Sequence, residues 1–179
     1  METKLICSGL GGQGVMMIGQ LLGYTATGDK TKNVTFYPSY GFEMRGGSAN
    51  CYVVISDTAI GAAKFRRTDN LIALSESALD AYIDSLIPGG TLFANSSMIK
   101  KPVVREDIQI HYIDALKIAC EADSPKSTNL VMLGAFIEKT KVLNPEAVIN
   151  AMRYKFKKVP EKVLEANICA FNMGRMSVQ

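Results

Sequence analysis

Residues 4–15 read KLICSGLGGQGV, and the pattern of this stretch indicates the fold class of the chain. Its beginning, Lys4 to Ser8, is a short apolar run bounded by glycine, which is typical of a buried strand in a parallel sheet. Glycines break the run at residues 9–14. From Gln13 to Gly28, apolar residues then recur at helical spacing. The stretch therefore predicts a strand, a glycine loop and a helix in succession.

The rest of the chain alternates in the same way between candidate strands and helices. Further strands are predicted at residues 33–37, 49–56, 70–75, 91–95 and 109–113, and helices at 76–86, 115–121, 129–139, from 145 onward, and at 161–173. Pro38 is expected to end the second strand, because proline lacks the donor that a ladder needs. The alternation predicts an α/β layer fold. No linker or composition shift divides the sequence, so we expect one domain over residues 1–179.

Composition and charge narrow the class of protein. The chain has 20 Lys+Arg and 17 Asp+Glu, and a net charge of +3 is too small to indicate nucleic-acid binding. No run of 18 uncharged apolar residues predicts a membrane span, and the N-terminal apolar run is too short for a signal peptide. We expect a cytoplasmic protein with no membrane or nucleic-acid partner.

The cysteines give no metal motif. They stand far apart in the sequence, at Cys7, Cys51, Cys120 and Cys169, without the close pairs that bind zinc or iron–sulfur clusters. Each has apolar neighbours, so we expect free, buried thiols in a reducing compartment. No metal site is predicted.

The glycine loop, residues 9–14, has the pattern G-x-G-x-x-G between a strand and a helix. Such a loop lets backbone N–H groups approach a phosphate at the positive end of a helix dipole. A tight turn that binds nothing is the alternative. A conventional NAD site is disfavoured, since an acid should end the second strand, and Asp29 instead precedes that strand.

The second glycine-rich segment, residues 38–47, reads PSYGFEMRGG and connects two predicted strands. If it is extended, Glu43 and Arg45 project to one face and the apolar side chains to the other. A strand order that puts this segment beside the glycine loop would build a crevice at the carboxyl ends of strands. A surface loop with a solvated Glu–Arg pair is an equally good interpretation.

Together these two segments resemble the gamma subunit of 2-oxoacid:ferredoxin oxidoreductases. The resemblance rests on residues 9–15, on residues 38–47 with the following Ala49-Asn50-Cys51, and on NLVMLGA at 129–135. It implies a Rossmann-like three-layer sandwich with a mostly parallel sheet. It also implies a complex that oxidatively decarboxylates a 2-oxo acid, transfers the acyl group to coenzyme A and reduces ferredoxin. The second segment is more similar in sequence to family members that act on 2-oxoglutarate or branched-chain 2-oxo acids than to those that act on pyruvate. The resemblance therefore favours 2-oxoglutarate or a branched-chain 2-oxo acid as the substrate.

The resemblance also implies cofactors, partners and site residues. Thiamine diphosphate and iron–sulfur clusters are expected only on partners, namely the alpha and beta subunits and a ferredoxin-like subunit. This chain is expected to share the coenzyme A site. The implied anion-binding turn comprises Gly9, Gly11, Gly12, Gln13 and Gly14, and the implied lining of the interface comprises Tyr40, Gly41, Glu43, Arg45 and Gly46. The isolated chain is expected to be inactive and to form, at most, a homodimer.

No catalytic constellation of its own is predicted for the chain. His111 is the only histidine, and its strand-like surroundings favour a structural or surface role over that of a general base. Two other hypotheses therefore stay open at this point. One is a stand-alone nucleotide-binding oxidoreductase, and the other is a structural interaction module whose glycine loop is only a turn.

Overall fold

The computed structural model of the protein describes residues 1–40 and 47–179. The strands are β1 (Glu2–Leu10), β2 (Asn33–Tyr40), β3 (Ser48–Ser56), β4 (Thr68–Ala73), β5 (Leu86–Asn95) and β6 (Gln109–Ile113). The helices are α1 (Val15–Thr27), α2 (Glu76–Tyr82), α3 (Ala115–Glu121), α4 (Thr128–Thr140), α5 (Pro145–Lys155) and α6 (Glu161–Met176). The predicted strand, glycine loop and helix at the start of the chain are confirmed.

Within the described ranges, the strands form one six-stranded sheet in the order β2-β3-β1-β4-β5-β6. β1, β4, β5 and β6 pair in parallel, whereas β3 pairs antiparallel with both of its neighbours, β1 and β2. β2 therefore points the same way as β1, and β3 alone among the described strands runs in the opposite direction. The predicted α/β fold with a mostly parallel sheet is confirmed.

The two faces of the sheet are covered unequally. Alternate residues of β1 point to opposite faces, so that Cys7 packs with α1, α4, α5 and α6 and Ile6 packs with α2. The first face carries a thick helical layer, and α4 and α6 run through its core. On the second face, the described helical cover is α2 and a short 3-10 turn at Ile83–Ser85. The sandwich has three layers, but one outer layer is thin.

Several predicted boundaries were wrong for identifiable reasons. β2 continues through Pro38 to Tyr40, because β2 is an edge strand in which a missing N–H can face solvent. α2 ends at Tyr82 rather than at Leu86, which already belongs to β5. β5 begins at Leu86 rather than at residue 91, so that Pro88, Gly89 and Gly90 lie inside it.

The prediction that all four thiols are buried was half wrong. Cys7 and Cys51 are buried opposite each other in β1 and β3. Cys120 and Cys169 are exposed, because each occupies a helix position that turns away from the core. In the part of the chain that the structure describes, no helix is both long and apolar enough to cross a membrane.

Candidate functional site

The carboxyl ends of β1 and β4 define the candidate site. These strands lie side by side and parallel, so both end at the same edge of the sheet. After β1 the chain enters α1 and proceeds towards β2 at one side, whereas after β4 it enters α2 and proceeds to β5 at the other side. Connections that diverge in this way leave a crevice between them, and open α/β sheets bind ligands at such a crevice.

The glycine loop forms one wall of this crevice. Gly12 has φ +93° and Gly14 has φ +79°, which are left-handed conformations that favour glycine. Gly14 is the N-cap of α1 and supplies no side-chain cap, so the first N–H groups of the helix have no intrahelical acceptor. A Cβ on Gly14 would overlap the side chain of Asn129, whose Nδ2 donates to Gly14 O at 3.3 Å. The loop therefore presents backbone donors and the positive end of α1.

Gln13 holds the loop together from inside. Its Oε1 accepts a hydrogen bond from the N–H of Leu10 at 2.7 Å, and its Nε2 donates to the carbonyl oxygen of Leu74 at 3.3 Å. Leu74 follows β4, so this amide links the two connections that border the crevice. A Cβ on Gly9 would lie 2.6 Å from Gln13 Oε1, which leaves room there for glycine alone. The geometry gives Gln13 a bracing role within the turn.

The two glycine-rich segments meet at this edge. β3 is antiparallel to β1, so its first residue, Ser48, pairs with Leu10 at the end of β1. Just beyond this pair, the N–H of Gly11 donates to the carbonyl oxygen of Gly47 at 2.8 Å. The described part of the second glycine-rich segment is thus bonded directly to the glycine loop, which favours the crevice over a detached surface loop.

The other predicted site residues divide into two groups. Tyr40 ends β2 with 70% of its surface exposed, two strands away from the glycine loop. Gly41, Glu43, Arg45 and Gly46 lie outside the described residues.

The arrangement does not match a conventional dinucleotide site. β3 separates β2 from β1, which puts the carboxyl end of β2 about 10 Å from the glycine loop. Asp29 follows α1, whose length of about 20 Å places it at the opposite edge of the sheet. The side chain of Asp29 bonds instead to Thr31, and this bond lowers the pKa of the Asp29 carboxyl.

His111 lies away from the crevice, in edge strand β6. Its ring stacks on Phe93 with the centroids 5.6 Å apart, and its buried Nε2 has no hydrogen-bond partner among the described residues. Burial, with a smaller contribution from Lys139, lowers the pKa of His111, so the ring is neutral at neutral pH. These contacts support a structural role for His111.

Residues 1–40 and 47–179 also contain no cluster of His, Cys, Asp and Glu suited to a metal ion.

Sequence reasoning missed one polar pair at the site. Ser8 in β1 and Asn50 in β3 are directly opposite each other, and Ser8 Oγ donates to Asn50 Oδ1 at 2.6 Å. An asparagine within an apolar strand gives no periodic signal, so the sequence pattern does not single out Asn50. Its position in a predicted β-run, next to a glycine-rich segment, was the available clue.

The chain also matches the model of a known protein family. A family model described as pyruvate ferredoxin/flavodoxin oxidoreductase matches residues 4–177. The chain belongs to this family.

Individual relatives indicate which kind of subunit within this family the chain resembles. The chain is 34% identical over 176 residues to the 2-oxoglutarate synthase subunit KorC of Methanocaldococcus jannaschii, covering 97% of this chain and 92% of KorC. It is 28% identical to the solved gamma subunit of a keto/oxoacid ferredoxin oxidoreductase from Geobacter sulfurreducens, with a TM-score of 0.84. That match covers 99% of this chain and 97% of the other. The protein is thus a homologue of gamma subunits of 2-oxoacid:ferredoxin oxidoreductases.

A more distant structure shares the fold. The 2-oxoglutarate:ferredoxin oxidoreductase of Magnetococcus marinus, solved with 2-oxoglutarate, coenzyme A and succinyl-CoA bound, has a TM-score of 0.90 at 23% identity. The match covers 99% of this chain and 31% of that chain. The same fold therefore also occurs as one part of a longer polypeptide. Family membership does not favour the alternative of a stand-alone nucleotide-binding oxidoreductase.

Proposed function

We propose that this chain is the gamma subunit of a cytoplasmic 2-oxoacid:ferredoxin oxidoreductase complex, and that it contributes to the coenzyme A site and to subunit contacts. In the overall reaction the bond between the carboxylate and the 2-oxo carbon breaks, carbon dioxide leaves, and the acyl group joins the sulfur of coenzyme A. The electrons released pass to ferredoxin. The similarity to KorC supports 2-oxoglutarate, with a branched-chain 2-oxo acid as the next choice.

The observation that carries the proposal is the hydrogen bond from Gly11 N–H to Gly47 O. It joins the two glycine-rich segments at the crevice, where α1 also begins. Backbone N–H groups and a helix N-terminus suit an anion, and coenzyme A carries phosphate groups. The proposed phosphate-binding turn comprises Gly9, Gly11, Gly12, Gln13 and Gly14, with Gln13 as its internal brace. The described residues of this turn perform no bond-breaking step.

Thiamine diphosphate and iron–sulfur clusters belong, in this proposal, to partner subunits. Among the described residues, no group of three or more His, Cys, Asp and Glu side chains is placed to hold a metal ion. The cysteines do not fit a cluster either, since Cys7 and Cys51 lie within the sheet and Cys120 and Cys169 lie on separate helices. We therefore propose the alpha and beta subunits and a ferredoxin-like subunit as their carriers.

The thinly covered face of the sheet is the proposed surface for subunit contacts. Tyr37 projects from β2 with 42% of its surface exposed, and its ring packs edge-on against Tyr52 at 6.2 Å. Lys64 Nζ lies 5.9 Å from the centroid of each of these two rings. The active-site side of the subunit interface would be lined, in this proposal, by Tyr40, Gly41, Glu43, Arg45 and Gly46. Without its partners, the chain would form a homodimer through this surface.

Reconstitution tests the complex. We expect the isolated chain to show no decarboxylation when supplied with thiamine diphosphate, coenzyme A and a 2-oxo acid. Adding the alpha, beta and ferredoxin-like subunits should restore acyl-CoA formation and ferredoxin reduction. Activity from the chain alone would contradict the proposal.

A matched pair of glycine variants tests the role of the glycine loop within that complex. A Cβ on either Gly12 or Gly61 would have no atom within 4 Å, but only Gly12 of the two has a positive φ. Gly12→Ala should therefore distort the turn and weaken coenzyme A binding by about 10-fold, whereas Gly61→Ala should not change it. Equal coenzyme A affinity in both variants, measured by titration, would reject the loop as the phosphate site.

A further inference from the structure

A groove opens at the C-terminal end of α1, in the thick helical layer. Its volume is about 560 Å³, and its lining comes from residues 24–31 and from the side of α5 that carries Ala147, Asn150, Ala151 and Tyr154. The glycine loop lies at the other end of α1, a helix about 20 Å long. The groove is therefore separate from the candidate coenzyme A site.

Two stacked tyrosines form the aromatic part of this groove. Tyr24 of α1 and Tyr154 of α5 have ring centroids 4.9 Å apart and planes only 9° apart. Each ring holds the other in place, yet Tyr24 is 48% exposed and Tyr154 is 55% exposed. Aromatic rings that are fixed beside a groove and still exposed are typical of protein–protein contact surfaces.

Positive charge is concentrated next to the tyrosine pair. Residues 153–162 read RYKFKKVPEK and contain five of the 20 Lys+Arg of the chain but one of its 17 Asp+Glu. The net charge of this stretch is thus +4, whereas that of the whole chain is +3, so the remaining residues sum to −1. The positive excess of the protein originates here.

The structure leaves most of these cations available to a partner. Arg153 pairs with Glu165, but no carboxylate of the described residues lies within ion-pair distance of Lys155, Lys157 or Lys158. Lys157 Nζ lies 5.0 Å from the centroid of the Tyr154 ring, which places this charge at the rim of the groove.

The lining itself adds little net charge. Asp29 and Lys30 both line the groove, and their charges oppose each other. The Asp29 carboxylate also accepts hydrogen bonds from the N–H of Thr31 at 2.9 Å and from its hydroxyl at 2.7 Å. The surface therefore combines an aromatic groove of nearly balanced charge with a positive rim.

This combination favours an acidic protein segment over other anionic partners. Duplex DNA has one negative charge for about every 1.7 Å of its axis and needs cations along its path, whereas the cations here are concentrated in one stretch. An anionic membrane binds helices that expose an apolar stripe, but Val148, Ile149 and Met152 of α5 are buried in the core. A local acidic patch with one apolar side chain needs only the groove and its rim.

We propose that the groove between α1 and α5 docks an acidic segment of a partner protein. An apolar side chain of this segment would pack against Tyr24 and Tyr154, and its carboxylates would face Lys155, Lys157 and Lys158. The inference goes beyond the proposed function and does not depend on it, because the groove is remote from the glycine loop.

A synthetic peptide and the full chain provide the test. The probe is a short, fluorescently labelled peptide of aspartate and glutamate with one central phenylalanine, and anisotropy measures its binding. We expect binding at low salt that weakens by about 10-fold when salt is raised, since exposed charges are screened. The same peptide with asparagine and glutamine in place of the acids should bind about 10-fold more weakly or not at all.

A matched pair of double variants tests the positive rim. Lys157→Glu with Lys158→Glu should weaken binding of the acidic peptide by about 10-fold or more. Lys100→Glu with Lys117→Glu changes the net charge equally, at exposed positions after β5 and β6 on the far side of the sheet from α1. This control should change binding by less than about 2-fold. An equal loss in both double variants would overturn the inference, because only the overall charge would then matter.

Tyr24→Ser tests the aromatic part of the groove. Replacing the phenylalanine of the peptide with serine should weaken binding to the wild type by about 5-fold, and this difference should disappear in Tyr24→Ser. Tyr112→Ser is the control, because Tyr112 is 51% exposed but lies in β6. It should keep the difference. Thermal unfolding verifies that each variant is folded.

Three results would refute the acidic docking site. One is a lack of measurable binding of the acidic peptide to the wild type at low salt. Another is tighter binding of duplex DNA, or of phosphatidylserine vesicles, than of the peptide. The third is a contribution from the phenylalanine of the peptide that is equally large in the wild type and in Tyr24→Ser.

Discussion

Gly134 in α4 and Gly174 in α6 each lie against the backbone of the other helix. A Cβ on Gly134 would overlap the carbonyl oxygen of Phe171, and a Cβ on Gly174 would overlap that of Val131. The two helices therefore approach at backbone contact, which only glycine allows. This approach forms the centre of the thick helical layer.

Gly134→Ala should therefore destabilise the protein. The added methyl group meets backbone rather than a flexible side chain, so the helices must separate, at a cost of about 3 kcal/mol in the free energy of unfolding. Chemical denaturation of the isolated chain measures this. Gly23→Ala is the control, because its Cβ would meet Phe36 at an ordinary 3.8 Å in the middle of α1. Gly23→Ala should stabilise the chain by about 0.5 to 1 kcal/mol. Destabilisation by both to the same extent would contradict the close-contact explanation.

Gln13→Glu tests whether Gln13 braces the loop. The substitution keeps an acceptor for the N–H of Leu10 but places a carboxylate oxygen against the carbonyl of Leu74, where Nε2 now donates. We expect a loss of about 1 to 2 kcal/mol in the free energy of unfolding, even without any ligand. Gln20→Glu, at an exposed position of α1, should have little effect. If Gln13→Glu is as stable as the wild type, Gln13 is not a brace.

A buried carboxylate makes stability depend on pH. Glu138 of α4 is 10% exposed, and its Oε2 accepts from Arg175 Nε of α6 at 3.0 Å, while its Oε1 pairs with Lys141. The bond from Lys141, followed by that from Arg175, lowers the pKa of Glu138. Glu138→Gln should lower the free energy of unfolding by about 1 to 2 kcal/mol at pH 7.

The sign of the pH effect follows from the lowered pKa. The stabilisation by Glu138 is complete above its ordinary pKa of about 4.3 and is lost as pH falls through the lower folded value. The difference in unfolding free energy between wild type and Glu138→Gln should thus be constant from neutral pH down to about 5 and shrink in more acidic solution. Glu165→Gln is the control, because it breaks an exposed ion pair with Arg153. It should lower the free energy of unfolding by less than about 1 kcal/mol. A Glu138→Gln difference that persists unchanged in acid would refute the ion-pair explanation.

The four thiols should react in two classes. In the isolated, native chain, Cys120 and Cys169 should react quickly with an aromatic disulfide reagent, because both are exposed. Cys7 and Cys51 should react only after unfolding, and burial also raises the pKa of Cys7, which disfavours the reactive thiolate. Absorbance of the released thiolate counts the sites, and Cys120→Ser with Cys169→Ser should abolish the fast phase. Rapid reaction of all four cysteines would contradict this assignment.

Local signals in the sequence were sufficient for several elements. The glycine loop after β1 is correctly placed because glycines end a strand and admit the positive φ of Gly12 and Gly14. The start of α5 is likewise local, since Asn144 caps the helix through a 2.8 Å bond to the N–H of Glu146 and Pro145 occupies its first turn. Each of these features depends on residues close together in the chain.

Features set by distant pairing were not predictable. The sequence contains no sign that β3 inserts between β1 and β2, because that order depends on the β1–β3 ladder, whose paired residues range from Leu10 and Ser48, 38 positions apart, to Glu2 and Ser56, 54 positions apart. The insertion decides the candidate site, since it puts Gly47 next to Gly11 and Asn50 next to Ser8. The exposure of Cys120 was missed for a related reason, as apolar neighbours along the chain do not reveal which side of a helix faces the core.

The place of Pro38 has a consequence for assembly. β2 is the outermost strand at one side of the sheet, and a proline within it removes one of the donors that a further strand would need. If a strand of a second molecule paired with this edge, the new ladder would lack a hydrogen bond at Pro38, in the second half of β2. Pro38 therefore disfavours open-ended polymerisation through extension of the sheet at this edge.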